Sequence, residues 1–124
     1  MKETISTNAA PGAIGPYSQA IKTGDFVFCS GQLPINPADG KMPADIKAQT
    51  VQSLANVQAI LNEAGMTLAN IVKTTVYLAD MSLFKEMNEV YGELVPAPYP
   101  ARSAYAVKEL PMKALVEIEV IACR

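Results

Sequence analysis

The chain has 124 residues, half of them apolar and 18 % charged, with a formal net charge of −2. That length suits one domain spanning residues 1–124, large enough to bury about two thirds of the surface its unfolded chain exposes. The acidic balance, with lysines scattered singly and two arginines in all, argues against nucleic acid as a partner; the lack of histidine excludes Ser–His and Cys–His triads and most zinc sites.

In chain order, Asn8 to Tyr17 is rich in Pro, Gly and Ala and reads as irregular chain. Ala20–Thr23 is a short strand, Gly24-Asp25 a hairpin turn, and Phe26–Cys29 an apolar run expected to be buried on both faces, ended by Ser30-Gly31-Gln32. Leu33 to Pro43, with three prolines and Asp39-Gly40, is a loop. Asp45 caps a helix to about Ala64, whose stripe is Leu54, Val57, Leu61 and Ala64 with Val51 and Ile60 at its flanks; Gly65 ends it. Ile71–Leu78 is a strand, with Val72, Thr74, Val76 and Leu78 on one face and Ile71, Lys73, Thr75 and Tyr77 on the other. Asp80 or Ser82 caps a second helix with the stripe Leu83, Phe84, Met87, Val90, Tyr91 and Leu94. Two strands, 101–107 and 115–122, follow a proline-rich loop and are joined across Pro111.

The order, β-β-β-α-β-α-β-β in outline, describes an α+β domain with two helices on one face of the sheet. The strands carry apolar residues on both faces, so the second face needs a cover, and self-association is the simplest. No stretch reaches membrane-spanning length and no apolar leader follows Met1, which makes the cytoplasm the expected compartment. Cys29 reads as a buried free thiol, although a bridge to Cys123 stays open.

Arg102, at the start of a strand, offers a planar fork suited to a carboxylate, or is a surface ion-pair residue. Glu117 and Glu119 share one face of the last strand; if the last two strands form a hairpin, one register brings Arg102 beside them, and otherwise they are a solvated strand face. Tyr17 is a packing anchor or a hydroxyl donor. Ser30-Gly31 is a strand terminus or a closely approached backbone, and Asn88, mid-helix, reads as solvent-facing.

Seven segments then stand together in order: Gly15-Pro16-Tyr17-Ser18-Gln19-Ala20, Cys29-Ser30-Gly31-Gln32-Leu33-Pro34, Gln52-Ser53-Leu54-Ala55-Asn56-Val57, Ile71-Val72-Lys73-Thr74-Thr75-Val76, Met87-Asn88-Glu89-Val90-Tyr91, Pro100-Ala101-Arg102-Ser103 and Leu115-Val116-Glu117-Ile118-Glu119. With these the chain resembles, from end to end, the RidA/YjgF family of enamine/imine deaminases. The resemblance implies a chorismate-mutase-like α+β subunit, a mixed sheet of about six strands and a homotrimer with sites between subunits. It implies hydrolysis of short-chain 2-imino acids to 2-keto acids and ammonia, without metal or cofactor. Arg102 then holds the substrate carboxylate and Glu117 positions and activates water, while Tyr17, Ser30, Gly31 and Asn88 line the pocket. The chain departs from many family members in having Ala104 two residues after the arginine, where cysteine is common. Only the backbone carbonyl of Ala104 is then available to orient water or the imine nitrogen. The loop before Pro100 is also short for the family. Two alternatives belong to other classes: a 2-keto-acid binding module without turnover, and a ribonuclease or translation inhibitor, which the acidic charge disfavours.

Overall fold

A computed structural model describes residues 1–124. Its elements are β1 (Lys2–Ile5), β2 (Ala20–Thr23), β3 (Phe26–Gln32), α1 (Ile46–Glu63), β4 (Ile71–Leu78), α2 (Phe84–Leu94), β5 (Ala101–Ala106) and β6 (Val116–Cys123). The six strands form one sheet in the order β1-β2-β3-β6-β4-β5. Every neighbouring pair is antiparallel except β4 and β5, whose connection through α2 makes them parallel. The fold is therefore α+β with a mixed sheet. No helix is long and apolar enough to cross a membrane.

β6 shows why the sheet has two unlike faces. Val116, Ile118, Val120 and Ala122 are buried under the helices, while Glu117, Glu119, Ile121 and Cys123 point the other way and are partly exposed. α1 lies over β3 and β6 and against α2. Leu54, Val57, Ile60 and Leu61 carry its buried stripe at no more than 1 % exposure, the degree of burial that makes a stripe core rather than rim. At its start the Asp45 side chain accepts the Ala48 N–H at 2.8 Å. At its end Gly65, at φ +75°, lets the Gly65 and Met66 N–H groups return to Asn62 and Leu61 carbonyls.

Buried polar side chains tie irregular chain to this frame. Asn56 donates to the Leu33 and Ile35 carbonyls at 3.0 and 2.9 Å and accepts from Gln52 at 2.9 Å. Gln49 donates to the Pro43 carbonyl and accepts the Leu115 N–H, both at 2.8 Å. Gln19 accepts the Thr7 N–H and donates to the Pro11 carbonyl, both at 2.7 Å, which anchors the chain before Tyr17. Each such bond replaces water for a carbonyl or amide that no ladder satisfies.

The structure departs from the sequence reading in several places, among them α2, where Asp80 caps a short 3-10 turn at Met81–Leu83, no side chain caps the helix itself, and Leu94 is exposed. The last two strands do not form a hairpin: β6 inserts between β3 and β4, and β5 pairs only with β4. A bulge at Val72 reverses the start of β4, so Ile71 is buried and Val72 exposed, and the alternation assigned to that strand holds only from Lys73 onward. β3 runs on through Ser30 and Gly31 to Gln32, and its Phe26 and Phe28 lie exposed on the open face instead of buried. Val51, at the flank of the α1 stripe, is also exposed. Cys29 and Cys123 are free thiols.

Replacing Asn56 by Ala strands two carbonyls at a nearly inaccessible position. Unsatisfied buried groups cost about 1–3 kcal/mol each, so Asn56→Ala should destabilise by about 2 kcal/mol or more in urea titration. An unchanged midpoint would mean the loop after β3 is held by other contacts.

Candidate functional site

The residues singled out from sequence fall on the two opposite faces of the sheet. Arg102 stands beside Thr74 in the β4–β5 register, and Thr74 is fully buried under the helices. Glu117 stands beside Tyr77, which faces away from them. Arg102 is thus on the helix side at the edge strand, Glu117 is on the open side at the central strand, and no hairpin brings them together. The shared face depended on a hairpin of the last two strands, which the sheet order excludes.

The Glu117 half gathers four of the expected residues. Between the Cys29–Val120 and Gln32–Ile118 pairs, β3 bulges, so that Ser30 and Gly31 stand together opposite Glu119. The bulge turns Gly31 onto the Glu117 side chain: a Cβ at Gly31 would lie 2.9 Å from the Glu117 carboxyl carbon. Only glycine lets the carboxylate sit against the backbone there. The Ser30 hydroxyl donates to the Ser18 carbonyl at 2.6 Å, and the Ser30 N–H donates to the Gln19 carbonyl at 2.9 Å. Ser30 therefore holds the segment that carries Tyr17. Gly15, at φ +123°, makes the turn, closed by a Tyr17 N–H to Gly15 carbonyl bond. Tyr17 stands 54 % exposed and so is not packed within its own chain. A groove of about 160 Å³ runs from Tyr17 and Gly31 past Leu33, Ile35 and Met112.

Two carboxylates share this face in unequal settings. Glu119 accepts a hydrogen bond from the Tyr77 hydroxyl, and Tyr105 meets the Tyr77 ring edge-on at 5.7 Å. That bond holds the Tyr77 phenol above its ordinary pKa. Glu117 has no such donor; burial, then the neighbouring Glu119 charge, raises its pKa. Such a pair sets a carboxyl held by a hydroxyl beside one whose raised pKa suits it to take up and release a proton. Cys29, turned into the core, is pushed up to about 12 by burial and then by Glu119, which makes it an inert thiol at neutral pH.

On the other face, Arg102 opens into a cleft of about 420 Å³ with Asn88, Tyr91, Gly92, Tyr99 and Pro100. Its Nη1 donates to Asn88 Oδ1 at 2.7 Å, and its guanidinium carbon lies 5.4 and 4.8 Å from the Phe84 and Tyr91 ring centroids. No carboxylate pairs with it; the single salt bridge of the chain is Lys47–Glu89. Asn88 therefore faces Arg102, not simply solvent as its mid-helix position suggested. Ala104, opposite Val76, packs against the core from β5 and presents no side chain to the open face. No group of three His, Cys, Asp or Glu side chains converges to hold a metal ion.

Sequence reading passed over Phe84 and Tyr91 as functional residues because both fit the apolar stripe. The available signal was Phe84-x3-Asn88-x2-Tyr91, three side chains stacked on one helix face. Glu119 and Tyr77 lacked a visible link until the β4–β6 register was known.

Because Glu117 binds its proton more tightly in the folded chain than in the unfolded one, its contribution to stability is complete below the ordinary carboxylate pKa. It is lost as pH rises through the raised value. Glu117→Gln should therefore melt higher than the parent at neutral pH, and the advantage should disappear toward pH 4. A parent as stable as the variant at neutral pH would contradict the strained carboxylate.

The family model described as "Endoribonuclease L-PSP" matches residues 7–124. The Escherichia coli (strain K12) protein named "2-iminobutanoate/2-iminopropanoate deaminase" is 46 % identical, covering 100 % of this chain and 99 % of that one. The Arabidopsis thaliana protein named "Reactive Intermediate Deaminase A, chloroplastic" is 49 % identical, covering 98 % of this chain and 65 % of that one. Among solved structures, E. coli TdcF with bound serine superposes with a TM-score of 0.95 at 45 % identity over 98 % of both chains. With a family model and relatives that match nearly its whole length, this chain belongs to the RidA/YjgF family.

Proposed function

We propose that this protein hydrolyses short-chain 2-imino acids, or their enamine tautomers, to 2-keto acids and ammonia. The observation that carries the reading is Glu117, a half-buried carboxyl without a donor, pressed onto the Gly31 backbone and set toward the protonated form. A carboxyl with a raised pKa and an unclaimed hydrogen-bonding edge suits a base that takes a proton from water. The names of the E. coli and Arabidopsis relatives support the same chemistry.

The reaction asks little of the protein, since an imine carbon is already electrophilic. Arg102 grips the substrate carboxylate through its free N–H edge. Water bound at Glu117 attacks the imine carbon as Glu117 takes its proton, giving a carbinolamine. Glu117 then delivers that proton to nitrogen. The C–N bond breaks as the hydroxyl oxygen forms the carbonyl and gives its proton, through Glu117, to the departing nitrogen, so that ammonia leaves with the keto acid. Proximity and one positioned base supply the rate.

Arg102 and Glu117 can serve one substrate only if they come from different copies, because the sheet separates them within a chain. The β5 edge of one subunit, bearing Arg102, meets the open face of the next, bearing Glu117, Gly31, Ser30 and Tyr17. Three copies close a ring in which each junction is a site. Phe26, Phe28 and Tyr105, each more than 40 % exposed on the open face, supply the apolar area such a junction would bury. The free thiols suit a cytoplasmic setting. An endoribonuclease reading, which the description of the family model suggests, finds no cluster of cations to follow a phosphate chain: the net charge is −2.

Light scattering should report three times the 13.2 kDa chain mass; a stable monomer at micromolar concentration would remove the shared site. In a coupled assay that generates 2-iminobutanoate, Arg102→Lys should lose about one to two orders of magnitude in kcat/KM along with keto-acid affinity, as expected for a charged, bidentate contact. Glu117→Gln should lose about 10²-fold or more in kcat with keto-acid affinity retained. The wild-type rate should rise with pH as Glu117 deprotonates, its limb lying above the ordinary carboxylate range, and that limb should vanish in Glu117→Gln. Undiminished turnover in Glu117→Gln would exclude it as the base.

A further inference from the structure

Arg102 has a setting that its charge alone does not require. Phe84, Asn88 and Tyr91 follow one another at four and three residues along α2, so they form one stripe facing β5. The guanidinium carbon lies within cation–π range of both rings, and Asn88 takes one Nη1 proton. The Tyr91 ring is itself fixed. Its hydroxyl lies 2.8 Å from Thr74 Oγ1, and Thr74 is the residue beside Arg102 in the β4–β5 register. Thr74 is 0 % and Tyr91 4 % exposed, so this hydroxyl pair is sealed and the ring cannot swing away. Arg102 by contrast is exposed and without an acidic partner in the chain. A free arginine in water samples many rotamers, and all of that freedom must be given up when a planar anion is bound.

We propose that Tyr91, locked by Thr74, and Phe84 are positioning residues that hold the Arg102 guanidinium plane in place before substrate arrives, with one N–H edge left free for a carboxylate. Asn88 belongs to the same device, since its Oδ1 accepts one Nη1 proton and fixes which edge of the guanidinium stays free. This deepens the deaminase reading and rests on it for the identity of the substrate, but the grip itself is a property of carboxylate binding. Preorganisation of this kind strengthens ground state and transition state alike, since the carboxylate does not change during the reaction. It should therefore appear in KM and in product affinity, not in kcat.

The test measures pyruvate affinity by calorimetry and imine hydrolysis by the coupled assay. Tyr91→Leu, which removes the ring, should weaken pyruvate binding and raise KM by about three- to tenfold, the range set by cation–π contacts near a surface, with kcat within about twofold. Tyr91→Phe, which keeps the ring and loses only the bond to Thr74, should fall between Tyr91→Leu and wild type. Phe84→Leu, at the less buried end of the stripe, gives a second variant should Tyr91→Leu not fold. The uncharged amide of pyruvate should bind every variant as it binds wild type.

Unchanged pyruvate affinity in Tyr91→Leu and Phe84→Leu would overturn the positioning role, whether or not imines are hydrolysed. Equal weakening for acid and amide would overturn it too, as general loosening of the cleft. Wild-type protein that binds pyruvate but hydrolyses no imine would sink the deaminase reading alone, and the variants would still decide the positioning role by binding. Wild-type protein that binds no pyruvate would sink both.

Discussion

β6 lies between β3 and β4, and its alternation of apolar and acidic residues commits one face of the sheet to the helices and the other to carboxylates. Val116, Ile118, Val120 and Ala122 form the floor on which α1 rests. Because the period of a strand is two, that floor fixes Glu117 and Glu119 on the opposite side with no freedom to slip. The placement of the carboxylates follows from the same register that builds the core. Everything around them, from the β3 bulge to the Tyr77 hydroxyl, is arranged about that strand.

The two acids illustrate how one strand face supports two roles. Glu119 accepts a hydroxyl hydrogen bond across the β4–β6 ladder, a stabilising cross-strand contact. Glu117, two residues away, meets a backbone stripped of its side chain and gains no donor. One carboxyl is tied down and the other is held at a cost to the fold. Carboxyls set apart in this way are characteristic of sites that move protons.

Much of the frame was legible in the sequence because local chemistry determines it. Asp45, the apolar spacing of 54, 57, 61 and 64, and Gly65 mark both ends and the buried face of α1 without reference to any other part of the chain. Ile71–Leu78 was equally plain from composition. Pairing order was not, since nothing in residues 101–122 says that β6 will leave its sequence neighbour and enter the centre of the sheet. The Val72 bulge escaped notice for a related reason: Ile71 and Val72 are interchangeable as apolar residues, and only the partner strand decides which faces inward. At the candidate site, the roles given to Arg102, Glu117, Tyr17, Ser30, Gly31, Asn88 and Ala104 came from family resemblance. Their distribution over two faces came from long-range register, which no local pattern encodes.

If the proposed ring forms, the separation of Arg102 from Glu117 by the thickness of the sheet also has a genetic meaning. In a ring whose junctions borrow one residue from each neighbour, a chain that lacks Arg102 and a chain that lacks Glu117 are not equivalent defects. Each subunit still offers the half that the other has lost. A mixed ring of the two contains one junction where an intact arginine faces an intact glutamate, although neither chain alone can form any. Two inactive alleles of this gene, expressed together, would then restore part of the activity that each abolishes by itself.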